Sequence, residues 1–268
     1  MTQTDVAIIG GGVNGSSTGL ELAKNGLNVT IIDKNFICRG ASGVNAGTLT
    51  MHMTRAQLIP YAKKGWDLWM NASKWLSKDI DVEKKNGLCL AFTEDEEKLL
   101  IERSKVRKKY GADIKIISRK EAQRVDSNIN PNIKCAAFCE MDGYVSANQT
   151  GHAYSKALKE NKVKILENYN VSEITLINDK YVIVFENGEK LIASKLILAT
   201  GVHLGKILKL LDININIKCL PQQLIVSERM PTIMDSVITV ANGKLSLKQF
   251  KNGTVLIGGG WPGVGNIE

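Results

Sequence analysis

The sequence predicts an α/β fold: a Rossmann-like nucleotide-binding domain carrying an inserted, antiparallel-sheet α+β domain. Three observations predict it. An apolar run, Val6-Ala7-Ile8-Ile9, meets a glycine turn and then a helix-spaced segment that leads to a second apolar run. A late run, Leu196-Ile197-Leu198-Ala199, has the same buried-strand character. Between them lies a block whose charged helices and short hairpins break the strand–helix alternation.

The first unit is built from simple parts. Val6 to Ile9 is short, apolar and rich in β-branched residues, as a parallel strand covered on both faces requires. Gly10, Gly12 and Gly15 follow. Gly10 permits the tight turn, Gly12 lets the backbone approach a pyrophosphate, and Gly15 lets the helix pack closely. The helix opens at Val13 and Asn14, whose end of the macrodipole favours phosphate. Leu20, Ala23 and Leu27 keep helical spacing, and Asn25-Gly26 stops the helix. Val29 to Ile32 reads as the next strand and ends at Asp33, 18 residues beyond Gly15, placed to accept from ribose hydroxyls, with Lys34 beside it. A second G-x-G-x-x-G, at Gly258, Gly260 and Gly263, contains Pro262 and lacks a following helix and acid; it reads as a strand end.

The middle of the chain supplies the insertion. Trp66, Trp69, Ala72 and Leu76 sit at helical spacing over 60–76 and read as a core stripe. Thr93 to Glu96 and Ser118 to Glu121 are capping boxes that open two helices. A strand covers 87–92, and a helix is expected over 149–161. Asn178-Asp179 and Asn187-Gly188 are hairpin turns of a small meander. Leu245 to Gln249, the Asn252-Gly253 turn and the Val255 run fit antiparallel strands.

Bulk properties exclude several classes. The chain has 268 residues, 44% hydrophobic and 23% charged, with net charge +8. The basic residues are dispersed and aromatics do not alternate with them, which argues for a solvated surface and no nucleic acid. Apolar runs are too short for a transmembrane segment, and no signal peptide is visible. Five cysteines without a CxxC pair, and three scattered histidines, offer no metal site and suit reduced thiols in a cytoplasmic protein.

The paired motifs, IIGGGVNG…IID and RGASGVNAGTL, resemble the FAD-dependent oxidoreductases of the D-amino-acid oxidase type, the group of glycine oxidase, sarcosine oxidase and related amine or opine dehydrogenases. The resemblance implies non-covalent FAD, since no histidine stands in the matching stretch Val44 to Gly47. It implies that Ala41, Ser42, Asn45, Ala46, Gly47 and Thr48 wrap the pyrophosphate and the flavin ring, that the Val171 backbone meets the adenine, and that Thr200 and Gly201, from the motif Ala199-Thr200-Gly201, pass the cofactor. It implies an FAD-binding domain over 1–80 and 145–210 and a substrate domain over 81–144 and 211–268. Members of the group usually continue further, so the substrate domain is expected to be incomplete at its C-terminal end. Pro221-Gln222-Gln223 departs from the group's P-x-R-G-Q segment.

The activity implied is oxidation of the C–N bond of a small-molecule amine or amino acid by hydride transfer to flavin N5, a step that needs orientation more than a strong base. No catalytic residue is identified; Asn45, Thr48 and Gln249 are candidates to line the flavin or substrate side. Two alternatives stay open: a glycerol-3-phosphate-type dehydrogenase on the same fold, and a non-catalytic or truncated nucleotide-binding subunit. A hetero-oligomer with an electron-accepting subunit is a further expectation.

Overall fold

The computed structural model, which describes residues 2–264, contains two sheets. The chain runs β1 (Thr2–Ile9), α1 (Val13–Lys24), β2 (Val29–Asp33), α2 (Ala41–Val44), β3 (Thr48–Leu49), α3 (Ile59–Met70) and α4 (Ala72–Leu76). It continues through β4 (Glu83–Ala91), α5 (Glu94–Lys109), β5 (Ile114–Ser118), α6 (Arg119–Val125), β6 (Cys135–Tyr144) and α7 (Ala147–Glu160). Then come β7 (Lys164–Glu167), β8 (Val171–Ile177), β9 (Lys180–Phe185), β10 (Lys190–Leu198), α8 (Leu204–Lys209), β11 (Ile225–Arg229), β12 (Val237–Val240), β13 (Ser246–Gln249) and β14 (Thr254–Gly258).

The first sheet has the order β7-β2-β1-β10-β9-β8. Its first four strands are mutually parallel, and β9 and β8 turn back as an antiparallel hairpin. Strand alternation explains the layers. Val6 and Ile8 point to the face covered by α1 and α7, where Leu20, Tyr154 and Leu158 are buried. Ala7 and Ile9 point to the other face, against Ile183, Phe185 and the partly buried Ile207 of α8. The hairpin turn Asn178-Asp179 carries positive φ at both residues, as a type I′ turn demands.

The second sheet follows the order β11-β14-β13-β12-β4-β6-β3, with β5 also paired to β6. It differs from a purely antiparallel sheet in one place: β12 lies parallel to β4. These strands come from chain segments far apart in sequence, so no hairpin constrains their direction. β3 belongs to this sheet through its pairing with β6, although it lies in the N-terminal stretch. Both capping boxes form, at Thr93 with Glu96 and at Ser118 with Glu121. The stretch 60–76 is broken at Asn71 into α3 and α4, and Trp75 then packs tilted against Trp69 and edge-on against Tyr154. The Leu196–Ala199 run is half-buried rather than buried. Residues 265–268, the end of the expected substrate-domain segment, lie outside the described residues.

A buried polar post joins the second sheet to the chain after β3. The Asp142 carboxylate, fully buried, accepts from Thr50 Oγ1 at 2.6 Å and from Met51 N at 2.9 Å. Burial pushes its carboxyl upward and pushes the neighbouring His52 imidazole downward. His52 Nε2 lies 3.2 Å from Gly87 O, so this histidine is a structural one. A Cβ at position 87 would sit 2.1 Å from Asp142 Oδ2. Gly87→Ala is therefore expected to displace the carboxylate from both donors and to cost about 2–4 kcal/mol. Gly65→Ala, in α3 with open space around it, should instead stabilise by about 0.5–1 kcal/mol. Denaturant midpoints of the two variants check this pair; equal midpoints would contradict it.

Candidate functional site

The site is built where the C-terminal ends of β1, β2 and β10 converge. Gly10 takes φ +106°, a conformation that disfavours any L side chain. Its N–H donates to Ile32 O at 2.7 Å, and a Cβ there would lie 2.4 Å from Ala199 O. Gly15 is excluded from change for a different reason: its Cβ would fall 1.9 Å from Gly10 O. Helix α1 thus starts directly against the turn. At Gly12 the only atom near an added Cβ is Ser42 Oγ, at 3.1 Å. The space over the start of α1 is otherwise open, and its first-turn N–H groups have no intrahelical acceptors.

Asp33 ends β2 and braces the turn. Oδ2 accepts from Gly11 N at 2.7 Å and Oδ1 from Asn35 N at 2.8 Å. Each oxygen keeps a second lone pair for a ligand hydroxyl. Tyr169 N donates to Asp33 O, which brings the segment leading to Val171 beside this corner. Val171 is half-buried at the start of β8, against the core that holds Ile9 and Ile32. Lys34 and Asn14 are exposed.

The small-residue loop docks on the helix start. Ser42 Oγ accepts from Val13 N at 3.0 Å, joining the two motifs directly. Ala41 is exposed beside it at the start of α2. Asn45 shapes the loop: Nδ2 donates to Ala41 O and Ser42 O, and Oδ1 accepts from Gly47 N at 2.7 Å. Gly47 has φ +61° and packs so close to Val145 that a Cβ would sit 2.0 Å from Val145 O. Thr48 then enters β3 opposite Tyr144. On the far side of the turn, Thr200 Oγ1 is buried without a hydrogen-bond partner, and Gly201 has open space around it.

These features fit FAD. A helix start met only by the Ser42 hydroxyl among the described residues, an acid with spare acceptor capacity and an orphaned buried hydroxyl lie around the β1–α1 turn. The residues that would hold the pyrophosphate are Gly12, Val13 and Ser42; Asp33 would hold the ribose. Among the described residues no group of acids, histidines and cysteines could bind a metal.

Gln249 does not line the site. Its buried amide accepts from Ile233 N and Met234 N and donates to Pro231 O and Gly253 O, so it pins the chain before β12. Its neighbour Lys248, which the sequence pattern does not single out, lies against the small-residue loop. It is 2% exposed. Nζ donates to Thr48 Oγ1 at 2.6 Å and to Ala46 O, and lies 5.9 Å and 5.3 Å from the ring centres of Tyr144 and Phe250. Tyr144 is itself buried edge-on against Phe250. Strand alternation in Ser246–Gln249 puts Lys248 opposite the apolar Leu247, a pattern that reads as solvent-facing; here the cofactor loop covers that face.

Burial pulls the Lys248 ammonium down from 10.5 to about 7. An unfolded lysine stays protonated up to its ordinary value, so the penalty for burying the charge is complete below about pH 7 and fades as pH rises toward 10.5. In the FAD-free chain, Lys248→Met is therefore expected to stabilise most at neutral and lower pH, with the advantage shrinking in alkali. Thermal midpoints of both proteins across that range test the sign.

Comparison with known proteins shows the family. The family described as DAO, FAD dependent oxidoreductase, matches residues 5–266. One of the subunits of opine oxidase from Rhizobium meliloti is 22% identical over 96% of this chain and 71% of its own length. Glycerol 3-phosphate oxidase of Mycoplasma pneumoniae is 28% identical over 70% of this chain, which spans about half of it (51%). The crystal structure of L-proline dehydrogenase from P. horikoshii superposes with TM-score 0.90 at 20% identity, over 100% of this chain and 72% of that one.

Proposed function

The chain belongs to the FAD dependent oxidoreductase family, and on that premise we propose that it oxidises the C–N bond of an amino acid or secondary amine. The observation that carries the cofactor half is the junction of Val13 N with Ser42 Oγ, which makes one cradle from two motifs. The substrate half is supported by likeness to an opine oxidase along nearly the whole chain. FAD, when bound, supplies a two-electron acceptor for a hydride. The protein's part is to hold the dinucleotide through α1 and Asp33, to set the loop 45–48 with the Asn45 side chain, and to close the second sheet over that loop through Tyr144 and Lys248.

We assign 1–80 and 145–210 to cofactor binding, and 81–144 and 211–268 to substrate binding. The opine oxidase relative is named as a subunit, which supports a partner protein that accepts electrons. Five unpaired thiols support a reducing, cytoplasmic setting. Among the described residues no helix is long and apolar enough to cross a membrane.

The likeness to glycerol 3-phosphate oxidase favours a second reading, with a polyol phosphate as substrate. Anaerobic reduction separates the two. Bleaching of the yellow protein by amino acids or N-methyl amines is the expected result; bleaching only by glycerol 3-phosphate would replace the first reading with the second. Gly12→Val should weaken FAD binding by at least about 100-fold, because the side chain fills the open helix start. Fluorescence titration of FAD into parent and variant, with circular dichroism to confirm folding, measures it; unchanged affinity in a folded variant would remove the cradle from the account.

A further inference from the structure

Lys248 presents an electrostatic imbalance that the cofactor cradle does not explain. Its side chain is almost fully buried, and none of the described ion pairs includes it. Its two hydrogen-bond acceptors, Ala46 O and Thr48 Oγ1, are neutral. An ammonium has three donors, and a buried cation without a counter-charge is costly. Among the described residues the surrounding elements do not supply one. The loop 45–48 contributes no ionisable group. From β6 comes Tyr144, whose hydroxyl is pushed up to about 12 by burial and stays neutral near pH 7. Beyond β13 comes Phe250, which offers only its ring face. The position is also specific: Nζ touches Ala46, in the loop after α2, and Thr48, which opens β3 at the edge of the second sheet.

We propose that Lys248 is the cationic partner of an anion held between the loop 45–48 and the second sheet. This rests on the FAD reading of the site. The chemistry is a delocalised anion able to accept from an ammonium, and it has two sources: the negative charge that an electron pair places on the flavin ring, or the carboxylate of an amino-acid substrate. Oriented by Ala46 O and Thr48 Oγ1, the amine delivers its remaining donor toward either. The low desolvated pKa is consistent with this role, because an arriving anion restores the proton that burial makes costly.

Two probes on the FAD-loaded chain test the proposal and separate the sources. Sulfite adds to oxidised flavin: its sulfur lone pair forms the S–N5 bond and displaces a ring π pair, which becomes negative charge on the ring, so no oxidant is required. Benzoate reports a carboxylate site by perturbing the flavin band without reacting. Both dissociation constants are measured for the parent, Lys248→Arg and Lys248→Met between about pH 6 and pH 9. Relative to Lys248→Arg, which keeps its charge throughout, parent affinity for at least one probe should fall by up to about tenfold per pH unit above the amine's pKa. Lys248→Met should bind that probe at least about tenfold more weakly than the parent at the acid end.

Loss confined to sulfite assigns the anion to the ring, and loss confined to benzoate assigns it to the substrate; either supports the proposal, as does loss of both. If the Met variant fails to fold or to hold FAD, the parent and Arg profiles decide alone. Profiles of equal shape for both probes overturn the proposal. A parent that takes up no FAD overturns the cofactor reading and this proposal with it, before any probe is added. A yellow parent whose affinities ignore Lys248 overturns this proposal alone.

Discussion

The turn between β1 and α1 is the constraint on which the rest of the site depends. Gly11 N donates to Asp33 Oδ2 at 2.7 Å, Gly10 N to Ile32 O, and Ala199 N to Ile9 O. Three parallel strands thereby end at one point, with a helix starting against them at van der Waals limits. No side chain fits at Gly10 or Gly15. The space over Gly12 is a consequence: packing is exhausted behind the turn, so the helix start faces outward and meets only the Ser42 hydroxyl among the described residues. The second motif enters as an N-terminal partner through Ser42, not as a separate loop.

That architecture was largely legible in the sequence. The strand, glycine, helix, strand, acid order has one inexpensive three-dimensional solution, because each glycine answers a different crowding. The capping boxes and the Asn178-Asp179 turn were legible for the same reason, since their chemistry is local. What the sequence did not disclose depends on distant pairings. The parallel contact of β12 with β4, the break at Asn71 and the membership of β3 in the second sheet all arise from tertiary packing. Gln249 looked like a site residue because amides suit ligands, yet four backbone groups consume its hydrogen bonds. Lys248 was not singled out, because alternation marks only which side of a strand a residue faces. It does not mark what covers that side.

Buried contacts tie the small-residue loop to the second sheet. Asn45 fixes the loop internally, Gly47 backs onto Val145, and Thr48 pairs with Tyr144 while accepting from Lys248. The Asp142 post, one strand pair further on, holds Thr50 and Met51 to the same sheet. A change in the second sheet therefore reaches the cofactor loop through rigid, buried contacts.

A crystal structure of the chain with FAD tests the central claim most directly. The account predicts the pyrophosphate within hydrogen-bond distance of the Gly12 and Val13 amides, with Asp33 accepting from a ribose hydroxyl while keeping its bond to Gly11. A dinucleotide bound elsewhere, or an Asp33 carboxylate that contacts only Gly11 and Asn35, would contradict it.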